Sequence, residues 1–236
     1  MKQLLIIFIA CLVLFSCEKR NRIIQQQIEV NDFRELNLES HFDVELIQGQ
    51  QCKVLIEAPE KLLPKVEISQ EGKQLTCKRG DKMSWVSPKN NDIKLIITVD
   101  SLELIRAKES CVINSKNQLR GTSLGVIFAS KLNEAHLNIQ YESFYYWNNF
   151  PCGGVLELQG NCSLLSIWNY ALMQVQAEQL NCATALIQNS SKGDCHIRAS
   201  EAIKYHIFGE GNIHLYGNPG TIIQEANSGK GELIIH

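Results

Sequence analysis

The chain has 236 residues, with 23 basic and 25 acidic side chains and a net charge near −2 at pH 7. That balance lacks the basic excess that a phosphate backbone requires, so nucleic acid is excluded as a partner. After the first twenty residues no apolar run approaches the length needed to cross a bilayer as a helix.

The chain opens MKQLLIIFIACLVLFSCEKR. Lys2 supplies a positive n-region, Leu4 to Phe15 an apolar stretch too short to span, and Ser16 a small residue before Cys17. The tetrad Leu14-Phe15-Ser16-Cys17 has the form of a bacterial lipobox, so residues 1–16 are read as a lipoprotein signal and Cys17 as the lipidation site. A plain secretory signal is the alternative. A multiply acylated cysteine would hold the chain on a membrane, since two or more lipid signals give stable anchoring. Residues 17–30 then form a tether.

Residues 31–100 read as an antiparallel β region. Val44 and Leu46 alternate inward, the chain turns at Gly49, and alternation resumes at Val54 and Ile56. The same plan recurs around Glu71-Gly72, and Ile93, Leu95, Ile97 and Val99 mark another strand. Arg79 to Asn91 is mostly polar and is read as a loop that contains Trp85.

Residues 101–236 carry a repeat. Ile127-Phe128-Ala129, Trp147-Asn148-Asn149, Ile167-Trp168-Asn169, Ile187-Gln188-Asn189 and Ile207-Phe208-Gly209 follow one another at a step of about 20 residues. In parallel run the apolar pairs Leu137/Ile139, Leu156/Leu158, Val175/Ala177, Cys195/Ile197, Ile213/Leu215 and Leu233/Ile235, each skipping one residue. That skip is the period of a half-buried strand, and helical spacing is missing. A rung that cannot bury its apolar face alone must stack on its neighbours, which predicts a parallel β-helix of about six to seven rungs.

Within that frame Asn149, Asn169 and Asn189 are expected to stack as a structural ladder at one corner. Phe128, Trp168 and Phe208 share the column that follows the inward one of Ile127, Trp147, Ile167, Ile187 and Ile207, with Tyr145 and Tyr146 nearby, and are the candidate binding residues. Aromatic rings alternating with amides suit stacking against sugar rings or protein. His196 and His214 fall in one outward column on adjacent rungs, but the sequence shows no third ligand beside them, so no metal is assigned. Clustered carboxylates for acid–base chemistry do not appear, and Asp194 is the one aspartate after Ser101. No catalytic residue and no cofactor are expected. The Gly-Lys-Gly at 229–231 is not a phosphate loop, because position 224 is Gln, position 231 is Gly, and no helix can follow.

Nine cysteines lack any CxxC pair, and seven remain after Cys11 and Cys17, an odd number that argues for buried thiols rather than a disulfide framework. Cys162 and Cys182 are 20 residues apart, and their pairing stays open.

The chain resembles the auto-transporter adhesin, head GIN domain family. The N-terminal match runs through Phe42-Asp43-Val44-Glu45-Leu46, Gly49, Leu62-Leu63-Pro64-Lys65-Val66 and Gly72. The C-terminal match is Gly209-Glu210-Gly211-Asn212-Ile213, Tyr216-Gly217-Asn218-Pro219 and Ser228-Gly229-Lys230-Gly231. Gly209, Gly211, Gly217, Gly229 and Gly231 are accordingly the turn glycines. The middle corners depart from the family's Ser-Gly-Ser-Gly, with Lys131-Leu132-Asn133 and Ser191-Lys192-Gly193 in its place. The resemblance implies a right-handed β-helix with an antiparallel N-terminal portion and no established catalysis. The expected protein is an exported lipoprotein on the outer membrane, at its periplasmic face or the cell surface. Its expected partners are the membrane through lipid and a glycan or protein ligand. A homo-oligomer through the last rung is the alternative, since Leu233 and Ile235 keep the inward pattern to the end.

Overall fold

The computed structural model describes residues 22–80, 93–148 and 150–236. Cys17, the signal segment, residues 81–91 of the expected loop with Trp85, and Asn149 lie outside the described residues.

The described residues hold sixteen strands and one turn of 3-10 helix. The first seven strands are β1 (Ile23–Glu29), β2 (Glu35–Leu38), β3 (Asp43–Gln48), β4 (Lys53–Pro59), β5 (Val66–Glu71), β6 (Gln74–Arg79) and β7 (Lys94–Val99). Four more follow as β8 (Leu104–Ala107), β9 (Val112–Ser115), β10 (Leu119–Phe128) and β11 (Leu132–Asn148). The last five are β12 (Gly153–Ser191), β13 (Cys195–Ile207), β14 (Ile213–Tyr216), β15 (Thr221–Asn227) and β16 (Leu233–Ile235). β12 runs for 39 residues because rung-to-rung pairing continues through the corners of the coil. No described helix is long and apolar enough to cross a membrane.

Two parallel ladders run along the molecule. One passes β6, β2, β8, β10, β11, β12, β13 and β15, and the other β7, β3, β9, β11, β12, β13, β14 and β16. The long strands contribute a different segment to each ladder, which is how a coil of rungs is built. The protein is therefore an all-β solenoid of about six turns, as the alternation predicts. Antiparallel pairing is confined to the N-terminal strands, where β4 pairs with β1 and β7, and β5 with β6.

The N-terminal region is more closely fused to the solenoid than its hairpin signals suggest. β5 and β6 form the expected hairpin, with Gly72 at φ 58° in the turn. β3 and β4 do not pair with each other, because β7 lies between them, parallel to β3 and antiparallel to β4. β2 and β3 are already a rung, stacked on β8 and β9.

Inward positions fill a continuous apolar core. Phe33, Phe42, Val44, Leu46, Leu95, Ile97, Ile105, Val126, Ile187 and Ile213 all sit at 2% exposure or less. The seven described cysteines are free and buried. Burial pushes the thiols of Cys77, Cys111 and Cys195 up to about 12, so they remain protonated and act as small hydrophobes.

Tyr146 is the largest fully buried side chain and meets Phe128 edge to face at 5.6 Å. Its hydroxyl has no hydrogen-bond partner among the described residues. Desolvating a hydroxyl without a partner opposes folding. Tyr146→Phe keeps the ring and removes that penalty, so it should stabilise the protein by about 1 kcal/mol. In thermal denaturation this would read as a Tm raised by about 2–4 °C.

Candidate functional site: an aromatic corner beside an asparagine ladder

The two ladders fix which side chains share a column. In the ladder through β10 to β13, Ile105, Val126 and Tyr146 align and Tyr146 faces Ile167, all of them inward. One residue on, Arg106, Ile127, Trp147 and Trp168 align on the outside. One further, Ala107, Phe128 and Asn148 align inward again, and Asn169, the residue after Trp168, is buried too. This corrects the constant step of 20, because β8 to β10 and β11 to β12 both advance by 21 residues.

Two expected binding residues are thereby withdrawn. Phe128 and Tyr146 are fully buried, on the inward columns either side of the exposed one, and can offer a ligand nothing. Tyr145 is half-buried with its ring over Gly125, where an added Cβ would lie 2.1 Å from the ring. Trp168 is exposed as expected, and Trp147, which the ruler put inward, is its outward neighbour on the preceding rung. Phe208 is exposed but belongs to another position. Gln188 aligns with His206, so Phe208 projects two residues beyond that column.

Asn169 and Asn189 are joined by a hydrogen bond, and Asn148 lies beside them. Asn148 and Asn169 each follow the aligned pair Trp147 and Trp168, and both are buried together with Asn189. Asn148 exchanges two bonds with Tyr170, its Nδ2 donating to the carbonyl at 2.9 Å and its Oδ1 accepting from the N–H at 2.9 Å. Asn169 Nδ2 donates to Met173 O at 2.9 Å and to Asn189 Oδ1 at 3.1 Å. Asn189 Nδ2 donates to the carbonyls of Gly193 at 3.2 Å and Gly211 at 3.0 Å. The amides thus satisfy backbone groups where the rungs bend, the role that buried asparagine fills at turns. At the same corner Ala171 holds φ 67°, the one described non-glycine with a left-handed backbone.

On top of this rigid ladder lies a shallow groove of about 280 Å³ lined by Trp147, Asn148, Trp168, Asn169, Tyr170, Gln188 and Ser190. Trp147, Trp168 and Tyr170 are 42–45% exposed, and none of the lining residues is charged. Two indoles on successive rungs stand roughly 4.8 Å apart at the backbone. They offer apolar ring faces, while Gln188 and Ser190 add neutral donors and acceptors. Such a surface suits a neutral ligand with flat apolar faces and hydroxyls.

The histidine column lies on the other ladder. His196 aligns with His214, and the rings stack with centroids 4.3 Å apart and planes 2° apart. Asp194 reaches the same place, and its carboxylate and the two imidazoles bring ligand atoms within 4.8 Å of one another. Burial first, and the neighbouring His214 second, hold His196 below its ordinary imidazole range, so the ring is neutral at pH 7. Gly209 and Gly211 lie between β13 and β14, Gly217 between β14 and β15, and Gly229 and Gly231 between β15 and β16. Lys230 follows Glu210 on the next rung and lies 3.3 Å from its carboxylate, a charge pair at the turn tips.

Stacked parallel rungs, an antiparallel N-terminal margin and an exposed aromatic corner define a β-solenoid. The chain belongs to the family described as putative auto-transporter adhesin, head GIN domain, whose pattern matches residues 32–219. It is similar in fold to a putative adhesin from Bacteroides fragilis, with TM-score 0.77 at 16% identity over 91% of this chain and 97% of that one. A putative adhesin from Parabacteroides distasonis gives TM-score 0.65 at 15% identity, covering 92% and 98%. One from Parabacteroides merdae gives 0.59 at 17%, covering 92% and 97%. No curated protein matches the chain.

Proposed function

We propose that the chain is an exported, lipid-anchored envelope protein that serves as a non-enzymatic, adhesin-like binding module and takes a neutral glycan at the Trp147–Trp168–Tyr170 corner. The observation that carries this reading is the uncharged groove with three half-exposed aromatic rings, set on a backbone that the buried asparagines hold rigid. Preformed rings bind with little loss of conformational freedom. The family's description as an adhesin supports a binding role. The lipobox at Leu14 to Cys17 supports anchoring at the outer membrane, on its periplasmic face or at the cell surface. Acyl labelling that vanishes in Cys17→Ala would bear on the anchor, and protease access on intact cells would separate the two faces.

The binding reading is tested on a glycan array followed by titration of the best neutral oligosaccharide. Trp168→Ala should weaken binding about tenfold, the equivalent of one stacking contact worth about 1.4 kcal/mol. Unchanged affinity would remove the corner from the account. A second reading, self-association as a structural envelope protein, draws on the exposure of Ile222, Ile223 and Ile235 along the last rung.

A further inference from the structure

We propose that Asp194, His196 and His214 form a binding site for a divalent transition-metal ion of the zinc class. The three residues are the only such group of potential ligands among the described residues. Stacking of β13 on β14 sets His196 beside His214. Asp194 precedes His196 by two residues, so strand alternation carries it to the same outward face.

Each of the three has one polar atom engaged by the protein and one left over. Asp194 Oδ1 accepts from the backbone N–H of Asn212 at 2.7 Å, which leaves Oδ2. His196 Nδ1 lies 3.1 Å from the Tyr216 hydroxyl, and His214 Nδ1 lies 3.0 Å from His236 Nε2. Both histidines therefore have Nε2 remaining. This is the arrangement of metal-bound histidine, in which an outer partner fixes the ring and the tautomer through the other nitrogen. His236 and Tyr216 stack on each other with centroids 4.6 Å apart, so the outer partners are themselves held.

The spacing points the same way. His214 Nε2 and Asp194 Oδ2 face each other across 3.6 Å, too far for a hydrogen bond. Bond lengths of about 2.1 Å in a tetrahedral site put neighbouring donors about 3.4 Å apart, which a 3.6 Å gap meets with a small shift. As they stand the imidazoles are parallel, so binding requires both rings to rotate about their side-chain bonds until the Nε2 lone pairs, which lie in the ring planes, meet at one ion. Two imidazoles and one carboxylate favour zinc, nickel or copper over magnesium or calcium, which prefer all-oxygen sites. Two other histidines differ. His136 and His206 are each closed off against a single carboxylate, Glu157 at 2.8 Å and Glu225 at 2.6 Å, with no third ligand.

The test is calorimetric titration of zinc chloride into the full-length chain, purified without a polyhistidine tag and stripped with a chelator. One equivalent should bind, with a rise in Tm. His214→Ala and Asp194→Asn should each weaken binding at least tenfold, and His136→Ala should leave it unchanged. Asparagine at 194 retains an oxygen for the Asn212 N–H, so that variant should melt with the metal-free wild type and decides the matter if His214→Ala is unstable. No zinc uptake, or uptake that neither Asp194→Asn nor His214→Ala reduces, would overturn the proposal. Trp168→Ala should bind zinc normally, which separates this site from the aromatic corner.

Discussion

Asn189→Ala should destabilise the protein by about 3–5 kcal/mol, among the largest losses for any polar substitution in the chain. Asn189 is fully buried and uses both ends of its amide. Nδ2 donates to the carbonyls of Gly193 and Gly211, while Oδ1 accepts from Asn169 Nδ2 at 3.1 Å and from Ser191 N at 3.2 Å. Alanine leaves those four groups without this partner in a place water cannot enter. Each stranded group costs about 1–3 kcal/mol, and local relaxation recovers part of the total. Urea unfolding should show the midpoint falling with the slope unchanged. The matching control is Asn181→Ala. Its amide makes the same kind of rung-to-rung bond, to Asn161 Oδ1 at 3.3 Å, but both residues are exposed. Water replaces that bond, and the loss should stay within about 0.5 kcal/mol. The pair isolates burial as the term that makes an asparagine ladder structural.

Both ladders share a 20-residue spacing in the sequence, and the sequence alone does not separate the buried from the exposed one. What alternation does reveal is the strand period and the face within each straight segment. Cys195, Ile213 and Leu233 stack as the ruler predicts, and so do Ile197, Leu215 and Ile235. The errors arise at corners. Between Tyr146 and Ile167 the coil advances 21 residues, and between Ile187 and Tyr205 it advances 18. A turn absorbs the extra or missing residue without disturbing the flanking strands, so apolar alternation carries no trace of it. A slip of one residue turns a side chain to the opposite face. That is why Phe128 reads as exposed and Trp147 as buried when the reverse holds.

The third metal-ligand candidate was closer to hand. Asp194 and His196 are two apart at the start of β13, hence on one face, whereas the contacts from Asn212, Tyr216 and His236 join residues 18 to 22 apart and emerge only once the coil is closed. The N-terminal strands show the same division. The β5–β6 hairpin is local and legible at Glu71-Gly72, while the insertion of β7 between β3 and β4 joins residues 37 to 51 apart.

Gly211→Ala carries the other large expected effect, a loss of about 2–4 kcal/mol. A Cβ at Gly211 would stand 2.1 Å from the carbonyl oxygen of Gly193 and 2.6 Å from its carbon. Those atoms are backbone, so no rotamer change relieves the overlap, and the rungs must move apart. Separation strains the bond from Gly211 N to Ser191 O at 3.0 Å and the bond from Asn189 Nδ2 to Gly211 O. It also disturbs the next rung, where Gly231 sits over Gly211 with the same 2.1 Å approach. Gly220→Ala is the control, since a Cβ there meets nothing nearer than 3.9 Å and should change stability by no more than about 0.5 kcal/mol. Because Asn189 and Gly211 hold the same corner, the double variant Asn189→Ala/Gly211→Ala should lose less than the two single losses combined. An interaction term of about 1 kcal/mol or more is expected for residues in one hydrogen-bonded unit. Strict additivity in urea unfolding would mean that the asparagine ladder and the glycine turns are independent supports, and that the corner beneath the aromatic face is not one rigid unit.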